Sequence, residues 1–282
     1  MLAIIGGSGL YQLEDIDVDA KLNIDTPFGS PSAPLVKGNH NGCEIIFLPR
    51  HGNNHELLPH EINYRANIWA LKSVGVSRIV SVSAVGSLQS KIAPGDFVLA
   101  DQYFDWVLDK RDKTFFGNGL VAHVAIAKPS CQTLADIITV YAEQLGIKIH
   151  TGKRYAGISG PRFGTKLESY FLKDAANCDV VGMTNIPEIF LAREAQICYC
   201  SIGVVTDYDS WQKDFKQQVE MKTAIERYME SLVIIKKLLV KLLMQPLPKC
   251  DLGCRTSLQN AVLSSSQSLT PEKKELLKLL MK

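Results

Sequence analysis

The sequence predicts an α/β sandwich built around a parallel or mixed central sheet, and three observations carry that prediction. Short apolar runs alternate with helical patterns along most of the chain, glycines fall where helices should stop, and polar loops follow the apolar runs. The runs that read as buried strands are LAII at 2–5, EIIFL at 44–48, RIVSVSA at 78–84, DFVLA at 96–100, DVVGM at 179–183 and CYCSIGVV at 198–205. Their short lengths and their Val and Ile content suit strands that are covered on both faces.

Between them, YRANIWALKSVG, QTLADIITVYAEQLG, TKLESYFLKDAA and PEIFLAREAQ read as helices, with Gly75 and Gly146 at expected C-terminal stops. Residues 217–244 predict the longest helix, because Met221, Ile225, Tyr228, Leu232, Ile235, Leu239 and Leu242 form one apolar stripe. QPLPKCDLGC then breaks the pattern, and LSSSQS reads as a flexible linker. In the closing LTPEKKELLKLLMK, Thr270 is placed as a helix cap, Pro271 in the first turn and Glu272 beside the positive helix end. The expected organisation is one catalytic-sized domain over residues 1–245 and an appendage over 246–282 with a short terminal helix.

Composition narrows the function. With 46% hydrophobic and 21% charged residues the chain can bury a sizeable core, and a net charge of +2 lacks the basic field of a nucleic-acid binder. MLAIIGGSGLY has neither the basic region nor the long apolar core of a signal peptide. LVIIKKLLVKLLM is interrupted by Lys236, Lys237 and Lys241 and is too short to span a bilayer, so no membrane partner is expected. Seven cysteines without framework spacing suit a reducing cytoplasm, the expected location. Cys198 and Cys200 read as packed core thiols; Cys250 and Cys254 leave a local disulfide or an incidental pair open, the reducing setting favouring the second.

The loops after the strands carry the chemistry. TDYDSW sets Asp207 and Asp209 two residues apart at the end of an apolar run, so both face one side and suit a metal, a shared proton, a polar ligand or a turn. GGSGL at 6–10 offers open backbone and the Ser8 hydroxyl, either an anion site or a turn; it lacks the third glycine of the dinucleotide fingerprint. LPRHGNNHELLPHE at 48–61 places Arg50 and His51 directly after a strand, and arginine suits phosphate oxygens. Its histidines lack helical zinc spacing, since His55 and His60 are five apart with Pro59 between, so no metal is expected there. SVSAVGSL at 81–88 is rich in hydroxyls. GPRFGTKLES puts Phe163 in a glycine-flanked loop, either as a stacking ring or as a core anchor, and GMTNIPE ends a strand on Met183 and Thr184. The set suits an anion together with a flat polar heterocycle.

IIGGSGLY, DTPFGSPSAPL, RHGNNH, NYRANIWALK, GPRF, MTNIPE and TDYDSW occur in the order seen in the trimeric purine nucleoside phosphorylase family, and the chain most resembles its methylthioadenosine branch over residues 1 to about 245. The resemblance implies a three-layer α/β/α sandwich with a central mixed sheet. It implies phosphorolysis of S-methyl-5′-thioadenosine, with inorganic phosphate as co-substrate, no metal, no organic cofactor, and a homotrimer whose partners are a small-molecule nucleoside and phosphate. Carried over, Ser8, Arg50, His51, Ser83, Ala84 and Thr184 hold phosphate, Met183 lies against ribose, and Phe163 and Gly164 flank the base. Asp207 and Asp209 face the polar edge of the base, with Asp207 as the acid that protonates N7, and His123 reaches a neighbouring subunit's site. Met221, Ala224 and Ile225 stand where the methylthio group would be received, or else are core residues of an amphipathic helix. Two departures are Gly164, where a serine is common in that branch, and Asn185, where a small hydroxyl residue is. Asp at 207, where 6-oxopurine relatives usually carry Asn, favours 6-aminopurines; methylthioinosine or general purine nucleoside phosphorolysis is the alternative, and a non-catalytic nucleoside-binding protein a remote one.

Overall fold

The computed structural model describes residues 1–7, 10, 17–40, 42–212, 221–244 and 246–282. In chain order the elements are β1 (Leu2–Gly6), β2 (Asp17–Leu22), β3 (Leu35–His40), β4 (Cys43–Pro49), α1 (Tyr64–Ser73), β5 (Arg78–Ser87), β6 (Phe97–Trp106) and α2 (Gln132–Gln144). They continue with β7 (Ile149–Ile158), α3 (Lys166–Tyr170), β8 (Val180–Gly182), α4 (Asn185–Glu194), β9 (Cys198–Tyr208), α5 (Met221–Leu243) and α6 (Pro271–Leu280). The strands form one mixed sheet in the order β2-β3-β4-β1-β5-β8-β7-β6-β9, and β9 also pairs with β5, so β5, β8, β7, β6 and β9 close on themselves.

The alternation of side chains along a strand makes three layers out of this sheet. On β1, Leu2 and Ile4 point to one side, where they join Val80 and Val82 of β5, Ile202 and Val204 of β9, and the buried faces of α2 and α5. Ala3 and Ile5 point to the other side, where they join Ile79, Tyr199 and the buried faces of α1, α4 and α6. This is the α/β/α sandwich with a mixed sheet that the resemblance implied.

Several elements differ from their sequence reading. TKLESYFLKDAA is not one helix: α3 gives way to a π-helical turn over Phe171–Ala175. On the apolar stripe of α5, Leu232, Ile235, Leu239 and Leu242 are buried, whereas Ile225 is 54% exposed; residues 217–220 and the Met221 side chain lie outside the described residues. LSSSQS is not a free linker. The Leu263 amide donates to the Val121 carbonyl (2.8 Å), and Ser264 Oγ accepts from the Val121 amide (2.8 Å) while donating to the Gly119 carbonyl (2.9 Å). The Ser264 hydroxyl thus satisfies backbone groups of a neighbouring loop. The terminal helix begins as read: Thr270 Oγ1 accepts from the Lys273 amide and Pro271 opens α6, whose Leu276 and Leu280 pack in the same cluster as Ile68 and Leu71 of α1. Among the described residues no helix is long and apolar enough to cross a membrane.

Candidate active site

β1, β4, β5 and β9 run parallel, so their C-terminal ends lie along one edge of the sheet, the usual place for a ligand in such folds. β5 is the axis of the site. From Ile79 to Ser87 its residues are buried except near one point: Ala84 is exposed and Gly86 partly so, which requires open space beside them. Polar groups gather on both sides of Ala84.

On one side stands Arg50, directly after β4 and 1% exposed. Its Nε and Nη2 donate to the two Glu188 oxygens at 2.7 and 3.0 Å, Nη2 donates to Ser81 Oγ at 2.5 Å, and Nη1 donates to the Val82 carbonyl at 3.1 Å. Glu188 Oε1 accepts also from Ser81 Oγ (2.7 Å) and the Tyr199 hydroxyl (2.8 Å). Among the described partners this leaves one Nη1 hydrogen for a ligand. His51 Nδ1 lies 2.8 Å from the Leu57 carbonyl, which can only accept, so Nδ1 carries the proton and Nε2 is left as an acceptor. Burial pushes His51 down to about 4 against the raising effect of that bond, and Arg50 adds to the fall, so the ring is neutral near pH 7. Its ring stacks on His55 at 4.4 Å. Ser83 Oγ donates to Asn185 Oδ1 (3.2 Å), and Asn185 in turn donates to Ser201. The departure at Asn185 is therefore a buried cross-link between β5, α4 and β9. Thr184 is buried at the N-cap of α4, with its amide directed at the Tyr155 hydroxyl (3.4 Å). Ser8 lies outside the described residues.

On the other side of Ala84 are the two aspartates, 7% and 4% exposed. β9 has a bulge at Thr206, which re-aims the strand so that Asp207 stands opposite Gly86 of β5. A Cβ on Gly86 would lie 3.1 Å from Asp207 Oδ1 and 3.2 Å from Asp209 Cβ, so this glycine is what lets both aspartates close on β5. Asp207 Oδ2 accepts from Thr206 Oγ1 at 2.7 Å. Asp209 accepts from Ser169 Oγ, and its amide donates to the Ser87 carbonyl at 3.1 Å. Burial pushes Asp207 up to about 6, with the nearby Asp209 adding to the rise, and burial raises Asp209 as well against its bond from Ser169. Ser210 Oγ donates to the Gly164 carbonyl at 2.6 Å, tying the Phe163 loop to the aspartates. Phe163 itself is 38% exposed and so is not a core anchor.

Three residues to which the sequence reading assigned no role in the site hold this arrangement. Glu188 fixes Arg50. Arg111 sends Nη1 to the carbonyls of Met183 (2.5 Å) and Ile186 (3.0 Å), sends Nη2 to that of Ser159, and is neutralised by Asp109, so it clamps the Met183 and Phe163 loops together. Tyr228 of α5 brings its hydroxyl to the backbone of Gly7, in the glycine loop. Ala224 is half-buried one turn away, and His123 is exposed, its amide donating to the Ala261 carbonyl at 2.9 Å. Met183 packs over Gly160, whose φ is +68° and where a Cβ would stand 2.5 Å from Met183 Sδ. Gly160→Ala is therefore expected to cost about 1–3 kcal/mol, measured by urea denaturation, through left-handed strain and a displaced Met183.

The mixed α/β sheet that carries Arg50, neutral His51 and the two buried aspartates at its strand ends has the fold of the α/β nucleoside phosphorylases. The chain belongs to the phosphorylase superfamily, which matches residues 1–241. It is 40% identical over 281 residues to the S-methyl-5′-thioadenosine phosphorylase of Geobacter sulfurreducens, covering 100% of this chain and 98% of that one. It is 44% identical over 253 residues to the protein of the same name from Nitrosopumilus maritimus, covering 90% and 94%. Among solved structures, a methylthioadenosine phosphorylase sourced from an antarctic soil metagenomic library superposes with a TM-score of 0.92 at 40% identity, over 100% of this chain and 98% of that one. The methylthioadenosine phosphorylase of Schistosoma mansoni in complex with adenine superposes with a TM-score of 0.86 at 33% identity, over 92% and 98%.

Proposed function

We propose that the chain splits S-methyl-5′-thioadenosine with inorganic phosphate, giving adenine and 5-methylthioribose 1-phosphate in purine and methionine salvage. The observation that carries this reading is the buried Asp207–Asp209 pair beside the open stretch of β5, with the Asp207 carboxyl pushed up to about 6. The names of the relatives support it.

In this reading phosphate lies beside Ala84, held by Ser8, Arg50, His51, Ser83 and Thr184. Neutral His51 accepts the proton of hydrogen phosphate at Nε2, and Arg50 donates its remaining Nη1 hydrogen. Met183 lies against the ribose, Phe163 and Gly164 flank the base, and Met221, Ala224 and Ile225 receive the methylthio group. The sugar carbon becomes cation-like as the bond to the base stretches, and the phosphate beneath it supplies compensating charge and the nucleophile. The departing purine gathers negative charge, and Asp207 delivers its proton to N7. The same carboxyl accepts from the 6-amino group of adenine, with Asp209 held beside it by Ser169. No metal or organic cofactor takes part in these steps. The working form is a cytoplasmic homotrimer in which His123 enters a neighbour's site; Leu108 and Leu167, about four-fifths exposed here, are apolar surface of the kind a second subunit covers.

The test is base release from methylthioadenosine, methylthioinosine, adenosine and inosine, each with and without phosphate. Phosphate-dependent adenine release is expected, with the 6-amino substrate of each pair favoured by at least about 100-fold, because a site built for a hydrogen bond rejects the analogue lacking it. Equal turnover of the 6-oxo compounds would sink the reading of Asp207, and release without phosphate would indicate a hydrolase.

A further inference from the structure

Away from the site, four cysteines from three parts of the chain converge. Cys131 is the N-cap of α2, Cys198 opens β9, Cys250 lies in the connector after α5, and Cys254 opens a short 3-10 turn. Their sulfurs all lie within 4.8 Å of one another, and the Cys131–Cys250 sulfur pair is 3.6 Å apart. Among the described residues this is the set of Cys, His, Asp or Glu side chains whose ligand atoms gather in this way. We propose that Cys131, Cys198, Cys250 and Cys254 form a structural zinc site that fastens the C-terminal segment to the sheet.

The geometry is close to what the ion demands. A tetrahedral zinc with Zn–S bonds of about 2.3 Å sets its sulfurs about 3.8 Å apart, so no pair of these sulfurs, all within 4.8 Å, needs to close by more than about 1 Å to meet on the metal. A disulfide instead needs sulfurs at about 2.05 Å, well inside the 3.6 Å seen for Cys131 and Cys250. All-sulfur tetrahedral sites select zinc or iron over harder cations. Four protein ligands leave no open position, which makes the site structural rather than catalytic. Cys250 and Cys254 have the short local spacing of zinc ligands, and Gly253, at φ +79°, turns the chain just before Cys254. They are therefore not an incidental pair, as the sequence suggested, but half of a larger cluster.

The surroundings suit a doubly negative zinc tetrathiolate. Cys131 sits at the positive end of a 13-residue helix, and Arg78 lines the same small cleft as Cys131 and Cys250. Arg78 also donates to the carbonyls of Leu247 and Pro248, bracing the connector (3.3 and 2.6 Å). Loading exchanges four thiol protons, released to solvent, for one zinc ion, with no change of oxidation state. Cys198 is at the opposite end of β9 from Asp207, about 30 Å along the strand at about 3.3 Å per residue, so the site is separate from the phosphorolysis proposed above. Its consequence is for the tail: the clip holds residues 250–254 against α2 and β9, and α6 then docks on α1.

The full chain, produced with zinc in the medium and purified without a histidine tag, is expected to carry about one zinc per chain by elemental analysis. Replacement with cobalt should give the thiolate-to-cobalt charge-transfer band and the intense visible bands of a tetrahedral site. Cys254→Ser should lose the metal and lower the Tm, while Cys200→Ser, buried on the same strand but outside the cluster, should keep it. The cobalt spectrum and metal content of the unaltered chain stand even where a variant fails to fold. A chain that holds no zinc and gives no cobalt spectrum overturns the proposal. So does one that holds iron instead, or one whose alkylation pattern shows these cysteines joined as disulfides.

Discussion

Asp207→Asn is expected to lower kcat/KM for methylthioadenosine by about 10²–10⁴-fold, the range for losing a general acid, with phosphate affinity unchanged. An amide cannot deliver the proton to N7, and it presents a donor where the 6-amino group also donates. The same substitution should stabilise the ligand-free chain. The folded carboxyl sits at about 6 against an ordinary 3.8, raised chiefly by burial, so a charged Asp207 opposes folding at neutral pH. The sign follows from linkage. The unfavourable contribution is absent below about pH 4, grows between pH 4 and 6, and is complete above pH 6, at about 3 kcal/mol from the 1.36 kcal/mol carried by each pKa unit. Asn removes it while keeping the bond from Thr206. The variant's Tm should thus exceed the parent's at pH 8 and match it near pH 4. The fall in kcat/KM on the basic side of the parent's pH profile should disappear. An Asn variant with undiminished kcat/KM on methylthioadenosine would remove Asp207 from the acid role.

How much of this could be read beforehand depends on which residues carry each feature. β1, β4, β5 and β9 were legible because their apolar runs are buried on both faces, and the loops at their ends carried the site by position alone. β2 and β3 were not seen: DVDAKL is an exposed edge strand, and LVKGNH mixes glycine with polar residues. β7, IHTGKRYAGI, was also missed, because it is half-exposed at its start and shows no clean alternation. The residues that touch the proposed ligands sit in recognisable strand-end loops. Those that hold them, Glu188 at the end of GMTNIPE and Gly86 within SVSAVGSL, lie in the same motifs, but no local spacing marks their partners. Glu188 meets Arg50 across 138 positions, Gly86 meets Asp207 through a register fixed by a bulge, and the cysteine cluster joins positions from 131 to 254. Sequence spacing carries local motifs, whereas these contacts exist only once the sheet has brought distant strand ends together.

Glu188 is where this supporting layer should have its largest effect. Glu188→Ala leaves the Arg50 guanidinium buried and unpaired, along with the Ser81 and Tyr199 hydroxyls that donate to the same carboxylate. The expected loss of stability is about 3–5 kcal/mol, the range for removing one partner of a buried ion pair. Glu188→Gln keeps the shape, yet either orientation of the amide turns a donor toward Arg50, Ser81 or Tyr199. It should hold the fold better than Ala while raising KM for phosphate by at least about 10-fold, since a re-aimed Arg50 no longer presents its Nη1 hydrogen. A merely structural Glu188 would instead lower the Tm and leave the phosphate KM of the folded fraction unchanged. The double variant Arg50→Met, Glu188→Leu separates the two roles. With both charges gone no ion is left uncompensated, so it should recover most of the stability that Glu188→Ala loses, because buried pairs are often no more stable than apolar replacements. It should nonetheless show no phosphorolysis at any phosphate concentration tested. Recovered stability with recovered activity would mean that the pair serves the fold alone, and that the anion is held by Ser83, Thr184 and the glycine loop without Arg50.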